Sequence, residues 1–479
     1  MPIMIKYIVQ ATLAVHICLI LCEATVLAEK PHQPNILYIM IDDLGWKDLH
    51  CQGNDSFTTP NIDQLAAEGM RFTDAYAASP VCSPTRAAGA TGLHPARLKI
   101  TQHGEDTWSF YKGKKWGPGK STGLLEPSVI TVAERLKANG YQTAFIGKWH
   151  LSGHKYDEAC KPYLPENQGF DLNIAGCGMG GPGRKGSFFS PYQIPNIEPG
   201  PEGEFLPNRL SAEAVKQFKQ YAKSSKPFFM CLWHYVVHWP IEAPAELYKK
   251  YSDEEIPPDV QRYQAMVEGM DIAIGNTLNG LKDAGLADNT LVVFTSDNGN
   301  LAGFSSAEPL RASKGYLYEG GIRVPLIVRW PGKIKAGSVN HTPVQTMDYA
   351  PTFLEAAGIP YMVPGFDGMS LVGELTGRKP LPKRAIYFHY PHYAWHGNND
   401  MGSVIREGNF KLFHKSETDE YELYDLEKDI SESNNLITSL PEKAAELKKK
   451  LNAWKQEVGA TEPRLKKDIP EEELRGKKD

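Results

Sequence analysis

The residues Asn35–Ile41 (NILYIMI) form an almost unbroken apolar run, and two aspartates, Asp42 and Asp43, follow it at once. A run of strand length without polar alternation fits a strand covered on both faces, which restricts the fold to a sheet enclosed by other layers. Tyr141–Ile146, Pro227–Trp233 (PFFMCLW), Thr290–Thr295 (TLVVFT) and Val324–Arg329 (VPLIVR) repeat the pattern. Helical stretches lie among them: one capped by Thr59-Pro60 and running to Gly69, one at Val132–Asn139 stopped by Gly140, and longer ones at Pro257–Ala284 and Pro343–Ala357. This rhythm predicts an α/β fold, a large, open, mostly parallel sheet sandwiched by helices. Ligands of such sheets gather at the carboxyl ends of the strands. The chemically loaded segments of this sequence fall at such ends.

After about Thr376 the rhythm changes. Ala385–His389, Ser403–Arg406, Phe410–Phe413 and Tyr421–Tyr424 read as short strands separated by polar turns, and Pro441–Val458 as one amphipathic helix. The expectation is a large domain over residues 29–376 and a small C-terminal domain over 377–479, an antiparallel sheet with a helix packed on it. The charged tail from Thr461 is expected to be mobile or to lie on the surface. Trp108–Lys120 reads as an inserted loop.

Residues 1–28 carry one early lysine, Lys6, an apolar run and a Val26-Leu27-Ala28 ending. That is the pattern of a signal peptide, and it predicts a secreted or periplasmic protein. Gln10 and His16 interrupt the run, so no stable membrane span is expected. A net charge of −5 offers no basic surface for nucleic acid, and any anionic substrate must be met by a local pocket. Cleavage of the leader leaves Cys51, Cys82, Cys160, Cys177 and Cys231. Cys160 and Cys177 flank an irregular segment and either pair in an oxidising compartment or stay as buried thiols.

Asp42 and Asp43 are adjacent carboxylates. Two such charges about 4 Å apart repel by roughly 4 kcal/mol at an effective dielectric of 20, so a cation or a proton is needed if both turn inward. Downstream, Asp297 and Asn298 follow another apolar run. Three carboxylates and an amide oxygen form an all-oxygen set that suits Ca2+ or Mg2+ rather than zinc. Read singly, the pair at 42–43 is an ordinary helix start and Asp297-Asn298-Gly299 an ordinary turn. In Gly140–His150 (GYQTAFIGKWH), Lys148 and His150 stand two apart past a strand. A lysine there can hold an anionic oxygen, and a histidine can exchange a proton near neutral pH. His238 follows the PFFMCLW run and precedes Trp239-Pro240, with His234 as its competitor. Lys314 lies in Arg311–Pro325 (RASKGYLYEGGIRVP). Cys82-Ser83-Pro84-Thr85-Arg86 opens an Ala/Gly run able to form a helix. A thiol at a helix N-terminus beside an arginine is expected to have a lowered pKa.

Together these segments resemble the type I, formylglycine-dependent sulfatases of the alkaline-phosphatase-like superfamily, and in particular secreted bacterial carbohydrate sulfatases. Cys82–Arg86 resembles the C-x-P-x-R signature and Gly140–His150 the second signature. His238, Lys314 before Tyr-Glu-Gly-Gly-x-Arg-Val-Pro, and Glu422–Asp425 (ELYD) extend the likeness over roughly Asn35 to Asn435. Ala90, before Thr91-Gly92, departs from the branched aliphatic residue usual there. The resemblance implies that Cys82 is oxidised to formylglycine by a formylglycine-generating or anaerobic sulfatase-maturing enzyme. It implies a calcium ion, or magnesium, held by Asp42, Asp43, the Cys82-derived group, Asp297 and Asn298. It further implies that the hydrated aldehyde, a geminal diol held by the metal and Arg86, attacks sulfur. Lys148 and Lys314 then hold the sulfuryl group, His238 protonates the leaving oxygen, and His150 takes the proton that lets sulfate depart. The alternatives are a phosphonate or phosphate diester hydrolase of the same superfamily, and a silent secreted carbohydrate-binding protein.

The expected substrate is a sulfated carbohydrate, a polysaccharide fragment with a galactose- or galactosamine-type unit. Phe388–Asn399 (FHYPHYAWHGNN) is rich in aromatic and hydrogen-bonding side chains that suit a sugar ring, with His392, Trp395 and His396 as candidates. His103, Trp108 and Trp116 are further ones. The same segment also reads as an aromatic-rich strand and turn in the small domain's own core.

Overall fold

The structure, a computed structural model, describes residues 33–104, 108–153, 157–183, 187–252, 255–360 and 365–470. The leader expected at residues 1–28 lies outside them. Eight strands form the main sheet: β1 (Asn35–Ile41), β2 (Met70–Phe72), β3 (Gln142–Gly147), β4 (Leu172–Ile174), β5 (Phe228–Trp233), β6 (Thr290–Ser296), β7 (Leu326–Arg329) and β8 (Ser338–Asn340), in the order β8-β2-β7-β6-β1-β5-β3-β4. All neighbours run parallel except β7, which is antiparallel to both β2 and β6. The sheet is therefore mostly parallel, as expected, with Val324–Arg329 as its reversed strand.

Register decides what meets at the carboxyl edge. Ile41 pairs with Ser296, Met40 with Trp233, and Gly147 with Trp233. The residues just beyond β1, β6, β5 and β3 thus emerge at one level, which brings Asp42, Asp297, His234 and Lys148 to the same edge.

Side chains alternate between two cores, as strand geometry requires. Leu37, Ile39 and Ile41 pack with α1 (Pro60–Glu68), α4 (Leu206–Tyr221) and α5 (Pro258–Asp283), whereas Ile36, Tyr38 and Met40 pack with α2 (Cys82–Thr91), α3 (Val132–Ala138) and α6 (Tyr349–Ala356). The stretch read as one helix from Pro343 opens instead with a strand pair, Val344–Gln345 against Ala75–Tyr76, and becomes α-helical only at Tyr349.

Beyond it, β9 (Ala385–Tyr390), β10 (Gly402–Glu407), β11 (Phe410–Lys415) and β12 (Glu420–Asp425) form an antiparallel meander. Ile405, Leu412 and Leu423 on one face pack under Leu447, Leu451 and Trp454 of α7 (Pro441–Glu457). Phe388, Val404 and Phe413 on the other face meet Tyr76, Val81 and Leu317 from the first part of the chain. At this seam the buried Lys411 ammonium sits between Glu319 (2.9 Å) and Glu432 (2.7 Å).

The inserted loop and the tail join. Trp116–Gly117 pairs antiparallel with Arg464–Leu465, the Lys466 ammonium reaches the Tyr111 carbonyl, and the Thr461 hydroxyl donates to the Lys120 carbonyl at 3.0 Å. Residues 461–470 therefore lie along the inserted loop as a strap. Cys177 stands as a free thiol against the Tyr235 hydroxyl (3.8 Å), so no bond joins it to Cys160. Among the described residues no helix is long and apolar enough to cross a membrane.

Candidate active site

At the carboxyl edge, Asp42 and Asp43 leave β1, Asp297 and Asn298 leave β6, and Cys82 is the first residue of α2. The ligand atoms of Asp42, Asp43, Cys82 and Asp297 all lie within 4.8 Å of one another, and every one of these residues is buried. The Cys82 thiol donates to Asp42 Oδ1 at 3.4 Å. Asn298 Nδ2 donates to Asp43 Oδ1 at 2.8 Å, while its Oδ1 is buried with no hydrogen-bond partner among the described residues. A buried amide oxygen left over beside three carboxylates is what an oxygen-preferring divalent cation would use, so the donor set fits Ca2+ or Mg2+.

Three cations enclose the carboxylates. Lys148 Nζ lies 2.6 Å from Asp42 Oδ2, and Lys314 Nζ lies 2.7 Å from Asp43 Oδ2. Arg86 donates to Asp297 Oδ2 through Nε (2.9 Å) and a terminal nitrogen (2.6 Å), and to the Lys148 carbonyl at 2.8 Å. Arg86 thus braces the ends of β6 and β3 rather than opening toward a ligand.

Burial pushes the Asp42 carboxyl well above its ordinary range against the pull of Lys148, and Asp297 and Asp43 add to the push. Burial also opposes the charge of Asp43, but Lys314, His238 and Lys148 outweigh it and hold that carboxyl well below the usual range. The two neighbours are thereby driven apart, the arrangement that lets adjacent carboxylates take different protonation states. The expectation of an acidified thiol at Cys82 is overturned. Burial pushes the thiol far up, and Lys148 and Lys314 recover only part of that. Arg86, the neighbour expected to lower it, is already paired with Asp297.

His238 Nδ1 lies 2.7 Å from the Trp239 carbonyl, and its Nε2 is 3.9 Å from Asp43 Oδ2. The carbonyl can only accept, so Nδ1 carries the hydrogen and Nε2 is the atom that exchanges a proton. Burial lowers this histidine to about 3, with Lys314 acting in the same direction. His234, its competitor, is wholly buried, and neither ring nitrogen has a hydrogen-bond partner among the described residues. His150 lies past β3, with its N–H on the Cys177 carbonyl (2.9 Å) and its own carbonyl accepting from Ser83 Oγ (2.8 Å).

Local backbone explains how these groups converge. Asp43 (φ 63°) and His150 (φ 59°) both occupy the left-handed region, a strain characteristic of functional sites. At Gly147, the last residue of β3, a Cβ would lie 1.9 Å from the Trp233 carbonyl oxygen, so only glycine lets the chain turn Lys148 inward.

Two contributors escaped the sequence reading. Ser83 anchors His150, and the Gly180–Gly181 pair presses bare backbone against both histidines. A Cβ on Gly180 would stand 2.7 Å from His150 Nε2, and one on Gly181 would stand 3.4 Å from His238 Nδ1. The glycine cluster Gly176–Gly183 was the available signal.

Of the expected sugar-binding residues, Trp395 is 41% exposed with its ring 5.4 Å from Lys314 Nζ, and His396 stacks on Tyr316 at 4.7 Å. The His103 ring lies 6.1 Å from that of His150. His392 is corrected: it is buried, held by Thr101 Oγ1 (2.8 Å) and the Tyr111 hydroxyl (3.1 Å), and supports the aromatic loop from beneath. Trp116 belongs to the strap, and Trp108 lies in a short helical turn, Trp108–Tyr111.

Residues 34–359 match the family model described as Sulfatase, and residues 312–457 match that of N-sulphoglucosamine sulphohydrolase, C-terminal. The chain is 32% identical over 500 residues to a sulfatase of Formosa agariphila, covering 88% of each chain. It is 31% identical over 442 residues to N-acetylgalactosamine-6-sulfatase of Sus scrofa, covering 85% of this chain and 77% of the other. The crystal structure of Ps i-CgsB in complex with k-i-k-neocarrahexaose is similar with a TM-score of 0.73 at 27% identity, covering 88% of this chain and 92% of that one.

Proposed function

Since the chain belongs to the sulfatase family and is a sulfuric ester hydrolase, we propose that it removes sulfate from a sulfated saccharide, with a formylglycine made from Cys82 and a divalent cation, calcium by preference, held by Asp42, Asp43, Asp297 and Asn298. The observation that carries this reading is Cys82 Sγ lying among three buried carboxylates, with two lysines and a histidine directed at the same carboxylates. When present, the formylglycine supplies a hydrated aldehyde oxygen as nucleophile, and the cation offsets the charge of the sulfuryl oxygens.

The chain's own residues do the rest. Lys148 and Lys314 are buried point charges on Asp42 and Asp43, placed to hold sulfate oxygens beside the carboxylate cluster. Arg86 fixes Asp297 against the end of β3, so the carboxylate does not swing when charge shifts. His238, with Nδ1 committed to the Trp239 carbonyl, gives a proton from Nε2 to the departing alcohol oxygen. Its neutral resting form takes that proton when the sulfate's negative charge arrives to offset Lys314 and Lys148. His150, anchored through Ser83 and Cys177, accepts a proton from the nucleophile side. The exposed indole of Trp395 beside Lys314 supports a sugar as the leaving alcohol, and the relatives named for N-acetylgalactosamine and neocarrahexaose support the same class. The basic-then-apolar residues 1–28 support export to a secreted or periplasmic location, and conversion of Cys82 requires a formylglycine-generating or anaerobic sulfatase-maturing partner.

The test is sulfate release from sulfated galactan and glycosaminoglycan oligosaccharides by matured protein beside Cys82→Ala, with a mass spectrum of the Cys82 peptide. Release by the first alone, with an aldehyde at position 82, is expected. An unmodified thiol in fully active protein would overturn the nucleophile.

A further inference from the structure

Between the loop that carries Lys314 and the turn around Trp395–Asp400 lies a cleft of about 530 Å³ that takes no part in the chemistry above. Trp395, Tyr316, Asn398, Asp400, Arg311 and Lys415 line it. It adjoins the reacting centre at Lys314. The half-exposed Trp395 ring lies 5.4 Å from Lys314 Nζ, which pairs with Asp43.

The cleft's charges are committed. Lys415 Nζ is held by Asp400 at 3.0 Å and Glu422 at 2.8 Å. Arg311 donates to the Tyr424 hydroxyl (3.1 Å) and the Glu432 carbonyl (2.9 Å), with its guanidinium 3.8 Å from the centre of the Tyr318 ring. Asp400 and Glu422 thus both serve Lys415, and Arg311 is satisfied by neutral oxygens and the Tyr318 ring. What remains for a ligand is aromatic surface, the Trp395 indole and the parallel Tyr316–His396 pair at 4.7 Å and 12°, beside the Asn398 amide. That combination suits C–H faces and hydroxyls rather than an anion. A second sulfate or a uronate would meet Asp400 while Lys415 is already paired and Arg311 is turned onto the Tyr318 ring.

We propose that this cleft is a subsite for an uncharged sugar ring linked to the sulfated unit. The assignment rests on the saccharide reading above and adds that the enzyme recognises one neutral neighbour.

Matured enzyme is compared on three esters: the sulfated monosaccharide cleaved fastest in the panel, the same unit joined to neutral galactose, and the same unit joined to glucuronate. Galactose should raise kcat/KM at least tenfold, about 1.4 kcal/mol of added transition-state binding, and glucuronate should not. Trp395→Ala should erase the galactose increment, and Asp400→Asn should narrow the preference for galactose over glucuronate. No increment with galactose, an equal one with glucuronate, or an increment that survives Trp395→Ala would overturn the cleft assignment while leaving the saccharide reading in place. Hydrolysis of 4-nitrophenyl sulfate with no cleavage of any sugar ester would overturn the saccharide reading, and the cleft assignment with it.

Discussion

Asp297 holds two jobs at once, as a cation ligand in the proposed site and as the partner of the fully buried Arg86. Truncation to alanine would leave the guanidinium buried without its close carboxylate, with only the Lys148 carbonyl (2.8 Å) and Asp42 (3.8 Å) near it, at a cost of about 3–5 kcal/mol. Asp297→Asn is the cleaner change, because it keeps a hydrogen-bond acceptor for Arg86 and removes the charge. Sulfate release is expected to fall on the order of 10²–10³-fold, with calcium affinity by calorimetry falling alongside and far-ultraviolet circular dichroism unchanged. Gly180→Ala places a methyl carbon 2.7 Å from His150 Nε2. Displacing that ring by even part of an ångström should lower kcat by about 10²-fold while the melting temperature holds; the same change at Gly181, at 3.4 Å, should cost less. Asp42, Asp43, Lys148 and Asp297 were legible in the sequence because each follows an apolar strand run, where a charge needs a reason; Arg86 and Lys314 were legible only through the motifs around them. Gly180 and Ser83 were not, since a glycine carries no chemistry of its own and the Ser83 contact joins two distant segments. The Cys82 thiol was misjudged because a helix N-terminus and an arginine count only when they outweigh burial. Here the arginine is already spent on Asp297.

The strap made by Trp116–Gly117 and Arg464–Leu465 underlies the aromatic loop: the Lys114 ammonium donates to the Gly397 carbonyl at 2.7 Å and lies 4.6 Å from the centre of the Tyr393 ring. Ending the chain at Ala460 cuts the strand pair and the Thr461 contacts, which lie away from the reacting centre. Steady-state kinetics should show KM for a saccharide rising about tenfold, roughly the 1.4 kcal/mol of one lost positioning contact, with a smaller change in kcat. An unchanged KM would show that the loop holds itself in place. The long buried strands and the C-terminal meander could be read from apolar runs and turn residues. The strap could not, because two-residue strands are too short to show a period. The reversed direction of β7 was hidden for a related reason: a buried strand has the same composition whichever way it runs.

Among the described residues, His94, His234, His389 and His392 are kept neutral by burial. Burial lowers His94 and His389 to about 4 and His234 to about 3, and sets His392 well below its ordinary value. Two of them join the C-terminal meander to the rest of the chain, His94 at the Tyr387 carbonyl (3.1 Å) and His392 at Thr101 (2.8 Å), while His389 holds the Thr461 carbonyl (2.9 Å) within the C-terminal part. Each has a folded pKa below its unfolded value of about 6.5. The unfolded chain therefore binds protons that the native state refuses. The stability these groups contribute is complete above pH 6.5 and is lost as pH falls from there toward 4. Each can cost up to about 1.4 kcal/mol per pH unit in that window. Melting temperature should drop steeply between pH 6.5 and 5. His234→Leu should flatten that slope, since neither ring nitrogen gives up a hydrogen bond. A flat profile would refute the account.

Cys82, Ser83, Pro84, Thr85 and Arg86 are all buried in the finished fold, Cys82 at 3% exposure and Arg86 at 0%. Under the proposed conversion, a modifying partner and the folding reaction compete for the same stretch of chain, and whichever arrives first decides the fate of that molecule. A chain that folds with its thiol unchanged has closed the door on its own activation. A preparation would then be a fixed mixture of live and dead molecules, and its specific activity would record the outcome of that race rather than the speed of the enzyme.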